Sequence, residues 1–99
     1  MNYSLNFWHL ARGGDVEVPA KTKELMGLVA SMVLRCDDCI TYHIVRCREE
    51  GVTREEMLEA FNVALVVGGS ITIPHLRRAV ATLDEVDAIE KAQSGTVDL

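Results

Sequence analysis

The chain has 99 residues, 48% hydrophobic and 25% charged, a composition that excludes a disordered protein and leaves room for one core only. Ten Lys and Arg against fifteen Asp and Glu give a net charge of −5. Without a basic cluster to displace counterions from phosphates, nucleic acid is not an expected partner. A mean hydropathy of +0.12 is high for so small an interior, so part of the apolar surface is expected to be covered in a homo-oligomer.

Residues 1–18 are the least regular stretch. Leu5, Trp8 and Leu10 suit a short helix that Gly13-Gly14 would end, with Trp8 as a core or interface anchor. No Lys or Arg precedes Arg12, and Asn2, Ser4, Asn6 and His9 interrupt the apolar residues, a pattern unlike a signal peptide. No apolar run approaches the roughly 20 residues that cross a bilayer. No membrane partner is therefore expected, and the expected compartment is the cytoplasm.

From residue 19 the pattern is helical, with no alternating stretch long enough for a strand. Pro19 opens a helix at a first-turn position, where its missing N–H costs nothing. Leu25, Leu28, Val29, Met32 and Val33 then recur as one buried stripe. A second helix starts at Asp37 or Asp38, either of which could cap it. It carries Cys39, Ile40, His43, Ile44 and Cys47 and stops at Gly51. Thr53-Arg54-Glu55-Glu56 is a capping box for a third helix. That helix is apolar on nearly all sides from Val63 to Val67, which points to deep burial or an interface. Gly68-Gly69 breaks it, and Pro74 starts a last helix with Leu76, Val80, Leu83, Val86 and Ile89 as its inner face. A frayed tail is expected after Ser94-Gly95. The expected fold is an all-α bundle, one domain over residues 1–99 with its core at 19–93, built on a helical hairpin with Cys36 and Cys39 at the corner.

That corner carries the chemistry. Cys36-x2-Cys39-x3-His43 puts Cys39 and His43 on one helical face and sets Cys36 and Cys39 close enough for a disulfide. In a reducing compartment such a pair reads as redox or metal chemistry rather than as a staple. A thiolate is the nucleophile, an adjacent imidazole can take its proton, and a second thiol can trap a sulfenic acid as a disulfide. The helix N-terminus favours a thiolate, whereas the carboxylates of Asp37 and Asp38 oppose it. Cys36, Cys39, His43 and Cys47 together look like a zinc knuckle, but eleven helical steps rise about 16 Å, too far for four ligands on one ion. Cys36, Cys39 and His43 alone could hold a metal with one open position. Cys47 reads as a small buried hydrophobe.

The four-point pattern of Glu24, eleven residues, then Cys36-x2-Cys39-x3-His43, with Pro19 to Leu25, the Glu55-Glu56 helix and Gly68-Gly69, resembles the carboxymuconolactone decarboxylase superfamily. More closely it resembles the alkylhydroperoxidase D (AhpD)-like branch, over roughly residues 19–85. The resemblance implies a helical fold assembled as trimers or hexamers and a thiol-dependent peroxidase activity on organic hydroperoxides. No cofactor is expected, and a dithiol or lipoyl-type protein is the expected reductant. By the same resemblance Cys39 is the peroxide-attacking thiol, Cys36 the resolving thiol, His43 the activator of Cys39, and Glu24 the carboxylate in a proton relay to Cys36. Branch members carry a His just before the attacking Cys; here that position is Asp38.

Three alternatives stay open: a metal-binding or redox-sensing module without turnover, a decarboxylase-type enzyme using His43 as a general acid, and a purely structural helical oligomer. The decarboxylases of the superfamily lack this Cys pair. His75 reads as a surface residue, though it could reach the site; Tyr42 could line a pocket or pack. Lys21, Lys23, Arg77 and Arg78 read as solvated charges.

Overall fold

The computed structural model describes Ala11 and residues 17–95; the expectations for the N-terminal segment and the tail fall outside these residues. Its elements in order are α1 (Ala20–Val33), α2 (Asp37–Glu49), α3 (Arg54–Gly68), a 3-10 turn (Ser70–Thr72) and α4 (Ile73–Gly95). Among the described residues there is no strand, so the all-α expectation holds. No helix there is long and apolar enough to cross a membrane.

Each helix starts for a local reason. Pro19 stands one residue earlier than the sequence pattern puts it, as the N-cap of α1, and its carbonyl accepts from the Lys23 amide at 3.0 Å. Its fixed φ still suits the entry. The capping box of α3 is complete: the Glu56 amide donates to Thr53 Oγ1 at 3.1 Å, and the Thr53 amide donates to Glu56 Oε1 at 2.8 Å. These bonds satisfy two of the amides that a helix start leaves orphaned. Gly51, at φ +85°, ends the α2 turn in a conformation that few other residues adopt cheaply.

Helix α1 packs on both α2 and α3, and α4 lies against α2. Leu28 and Met32 of α1 meet Ile40, Ile44 and Cys47 of α2 and Met57 and Phe61 of α3 in a closed core. Each such large side chain stabilises by about 1.5–3 kcal/mol when fully buried. Two positions depart from the expected pattern on α4. Ala79 is buried where a small residue lets α4 approach, and Ile89 is 58% exposed because the helix runs past the edge of the bundle. Val63, Val66 and Val67 are exposed as well, so they lie outside the core formed by the described residues. Charges fix the far end of α4: Arg48 pairs with Glu90 at 2.9 Å, and Arg54 with Asp84 and Asp87 at 2.8 Å.

Candidate active site

The corner between α1 and α2 is made by backbone geometry. The Leu34 amide donates to the Ala30 carbonyl, Arg35 turns the chain at φ +61°, and the Cys36 amide then donates to the Ser31 carbonyl at 3.0 Å. A left-handed arginine is unusual outside glycine positions; here the bonds on either side hold it. Cys36 emerges extended as the N-cap of α2. The cap is therefore neither Asp37 nor Asp38, the two candidates read from the sequence. The Cys36 sulfur does that work, accepting the Cys39 amide at 3.3 Å. Sulfur is a weak acceptor, yet it stands where a Ser or Asp oxygen usually serves.

Cys36 and Cys39 are joined as a disulfide, with their Cα atoms 5.2 Å apart, inside the range that a disulfide spans. Cys36 is half-buried and Cys39 is exposed, so Cys39 is the sulfur that an incoming molecule meets.

One turn along α2, His43 Nδ1 lies 2.9 Å from Glu24 Oε1, which reaches across from α1. Glu24 is only 13% exposed, and its other oxygen lies 3.6 Å from Arg46 Nε. An ionised carboxylate can only accept, so the shared hydrogen belongs to Nδ1, and in the neutral imidazole the lone pair is then on Nε2. Arg46 is itself fixed by Glu49 and Glu50, and these bonds raise its guanidinium above its ordinary value.

Gly27 completes the imidazole's seat. A Cβ there would lie 2.5 Å from His43 Cε1 and 2.8 Å from both ring nitrogens, so the ring rests against α1 backbone that only glycine leaves bare. Tyr42 closes one edge, its ring meeting the imidazole edge-on with centroids 5.0 Å apart. Sequence alone does not mark Gly27, because a glycine inside a helical pattern reads as merely tolerated.

A second imidazole approaches from α4. His75 Nδ1 lies 2.7 Å from Asp37 Oδ1, and Arg78 Nε donates to Asp37 Oδ2 at 3.1 Å. The hydrogen bond to His75 comes first, and the Arg78 charge adds to it, in holding the Asp37 carboxyl below its usual range. His75 is thus tied to the cysteine turn, and Arg78 is not simply a solvated charge. Asp38 is exposed on the first turn of α2. Burial pushes the Cys47 thiol up to about 12, as suits an inert core residue. Among the described residues no three His, Cys, Asp or Glu side chains converge as ligands for an ion. An open apolar groove of about 740 Å³ runs between α1 and α3 from Leu25 and Met26 to Leu34 and Val67, and so reaches the residues just before the cysteine corner.

Comparison with known proteins bears on the family and the fold. Residues 2–82 match the model of the carboxymuconolactone decarboxylase family. A Thermotoga maritima protein of that family, for which involvement in an antioxidative response has been suggested, is 56% identical, with a TM-score of 0.79 over 93% of this chain and 97% of that one. A Legionella pneumophila member is 28% identical, with a TM-score of 0.71 over 83% of this chain and 75% of its own. An uncharacterised protein of the Paracoccus denitrificans cox locus is 34% identical over 73 residues, 74% of this chain and 66% of that protein. The chain thus spans just under two thirds of that relative's length.

Proposed function

The chain belongs to the carboxymuconolactone decarboxylase family, and within it we propose that this protein is a thiol-dependent peroxidase for organic hydroperoxides. The observation that carries the reading is the pairing of two dyads in one corner: Cys36 bonded to Cys39, and His43 held by Glu24 one turn on.

In the reduced protein, His43 Nε2 takes the Cys39 thiol proton. The Cys39 thiolate attacks the terminal oxygen of the hydroperoxide. The O–O bond breaks, Cys39 becomes a sulfenic acid, and the departing alkoxide takes the proton from His43 to leave as an alcohol. The Cys36 thiol then attacks the Cys39 sulfur. The S–S bond forms, and the expelled hydroxide leaves as water with the Cys36 proton. One hydroperoxide and two thiols thus give one alcohol, one water and one disulfide. A dithiol or lipoyl-type protein restores the thiols by exchange at the exposed Cys39, becoming oxidised itself. Glu24 acts through His43, by fixing which ring nitrogen is basic. The reading includes a homo-oligomer that covers the exposed apolar face of α3.

The test is single-turnover reduction of cumene hydroperoxide by the pre-reduced protein. The expected result is one alcohol formed and two thiols lost per chain. In Cys36→Ser a sulfenic acid should persist on Cys39, and Cys39→Ser should be inert. Equal consumption by Cys39→Ser and the parent would overturn the mechanism.

A further inference from the structure

Asp37 is the residue between the two dyads and α4. It follows Cys36 directly and lies in the same first turn as Cys39. An unpaired carboxylate there would lie within one turn of both sulfurs and oppose ionisation of either thiol. It does not stand unpaired. Arg78 Nε donates to one oxygen at 3.1 Å, His75 Nδ1 meets the other at 2.7 Å, and an Arg78 terminal nitrogen lies 3.2 Å from that same His75 nitrogen. These partners come from 38 and 41 residues along the chain, so the contact exists only because α4 folds back over α2. A guanidinium is cationic throughout the accessible pH range, and it cancels the Asp37 charge at any pH where that carboxylate is ionised.

We propose that Arg78, seated with His75 on Asp37, is a positioning residue for the Cys36–Cys39 pair: it cancels the one carboxylate locked into the cysteine turn and so keeps a thiolate accessible there. The inference rests on the reading that this pair cycles between dithiol and disulfide. Its effect passes through Asp37, because the 56% exposed Arg78 meets the cysteine turn at that carboxylate. Among the described residues, Arg35, Asp38 and the Glu24–His43–Arg46 group also carry charge on or within a turn of the corner, and none of them is altered by the variants below.

The experiment is iodoacetamide alkylation of the fully reduced protein across pH, with peptide mapping to follow Cys36 and Cys39 separately. In Arg78→Met the thiolate fraction of the more acidic cysteine at neutral pH is expected to fall roughly three- to tenfold, the effect of one partly screened charge within a turn or so. Arg78→Lys keeps the charge and should recover most of the loss. In Asp37→Asn the thiolate fraction should stay near that of the parent, because the carboxylate and its counter-charge are lost together, and adding Arg78→Met should then change it little, because the arginine has lost its anchor. A purely structural salt bridge would lower the melting temperature of Arg78→Met and leave the thiolate curve in place; that result overturns the proposal. So does an Arg78→Met effect that persists at full size in the Asp37→Asn background. Alkylation needs no peroxide, so a parent protein that fails to consume hydroperoxide would remove the peroxidase reading and leave this measurement decisive.

Discussion

His43 and Glu24 meet at 2.9 Å although they stand nineteen positions apart in the chain, one on each arm of the α1–α2 hairpin. The contact makes the imidazole directional: with Nδ1 committed to the carboxylate, Nε2 is the nitrogen left for chemistry. Arg46 braces the same carboxylate from the opposite side. Glu24→Gln keeps the shape but can offer its amide hydrogen to Nδ1, which reverses the tautomer. The peroxide-reduction step should slow about tenfold or more, and His43→Ala should slow it about a hundredfold, the usual range for losing a positioned base. Stopped-flow single-turnover rates check both, with far-ultraviolet dichroism unchanged.

Gly27→Ala separates seat from stability. In an ordinary helix interior this change stabilises by about 0.5–1 kcal/mol. Here the new methyl would lie 2.5–2.8 Å from the His43 ring, so the ring must swing away from Glu24. The expected outcome is a rate at least as low as that of Glu24→Gln, with the propensity gain cancelled in the melting temperature. A variant that is both more stable and fully active would show that the ring is free to move.

What could be read from the sequence follows the range of the forces involved. The Thr53 cap, the Gly51 stop and the Cys36–Cys39–His43 face are set by neighbours within one turn, and all three were legible. Glu24 was marked by its spacing to Cys36, but its bond to His43 depends on how Leu28 and Met32 pack against Ile40 and Ile44, which no local pattern states. His75 and Arg78 looked like surface residues because their partner, Asp37, lies about forty positions away. Asp37 and Asp38 looked like caps because carboxylates usually are, whereas the residue in the N-cap conformation is Cys36. The apolar run at Val63–Val67 suggests deep burial or an interface, and the structure leaves Val63, Val66 and Val67 exposed; hydropathy does not distinguish a core from a surface that meets another molecule.

Cys47 gives the alkaline prediction. Burial raises its thiol from 9.0 in an unfolded chain to about 12, so the folded state favours the neutral thiol. The associated stability is fully present below pH 9 and is lost as the pH climbs from about 9 toward about 12, where the unfolded chain ionises first. Urea midpoints should fall over that window in the parent and fall less in Cys47→Ala. At pH 8, the reduced native protein should lose two thiols quickly to alkylation and the third only on unfolding.

At acid pH the sign reverses. Asp37 is held low by His75 and then Arg78, and Glu56 by the Thr53 amide and then Lys21. Their contributions are present above the ordinary carboxylate values of 3.8 and 4.5 and fade as pH falls below them. Thr53→Ala removes the hydroxyl half of the capping box and should cost about 1 kcal/mol near neutral pH. Its difference from the parent should narrow as the pH falls below the ordinary carboxylate value of 4.5 and Glu56 is progressively protonated, which weakens the box in both proteins. Paired urea titrations at pH 7 and pH 3.5 check this.

The last prediction concerns the apolar face that stands exposed among the described residues. Val63 is 51% exposed, Val67 66% and Val66 84%, all at the end of α3 beside the apolar groove that also holds the 75% exposed Leu34. A contiguous apolar surface of this kind is rare on a monomer, and the proposed homo-oligomer covers it. Sedimentation equilibrium should therefore give a mass that is a multiple of 10.9 kDa. Val66→Glu places a charge that an apolar contact would have to desolvate, at a cost of several kcal/mol. It should shift the protein toward the monomer, while leaving the helical signal intact because Val66 touches little of its own core. Because Leu34 borders both the groove and the cysteine corner, dissociation should also change how fast Cys39 is alkylated. A parent that sediments as a monomer at high concentration would leave the apolar face of α3 without the partner proposed for it.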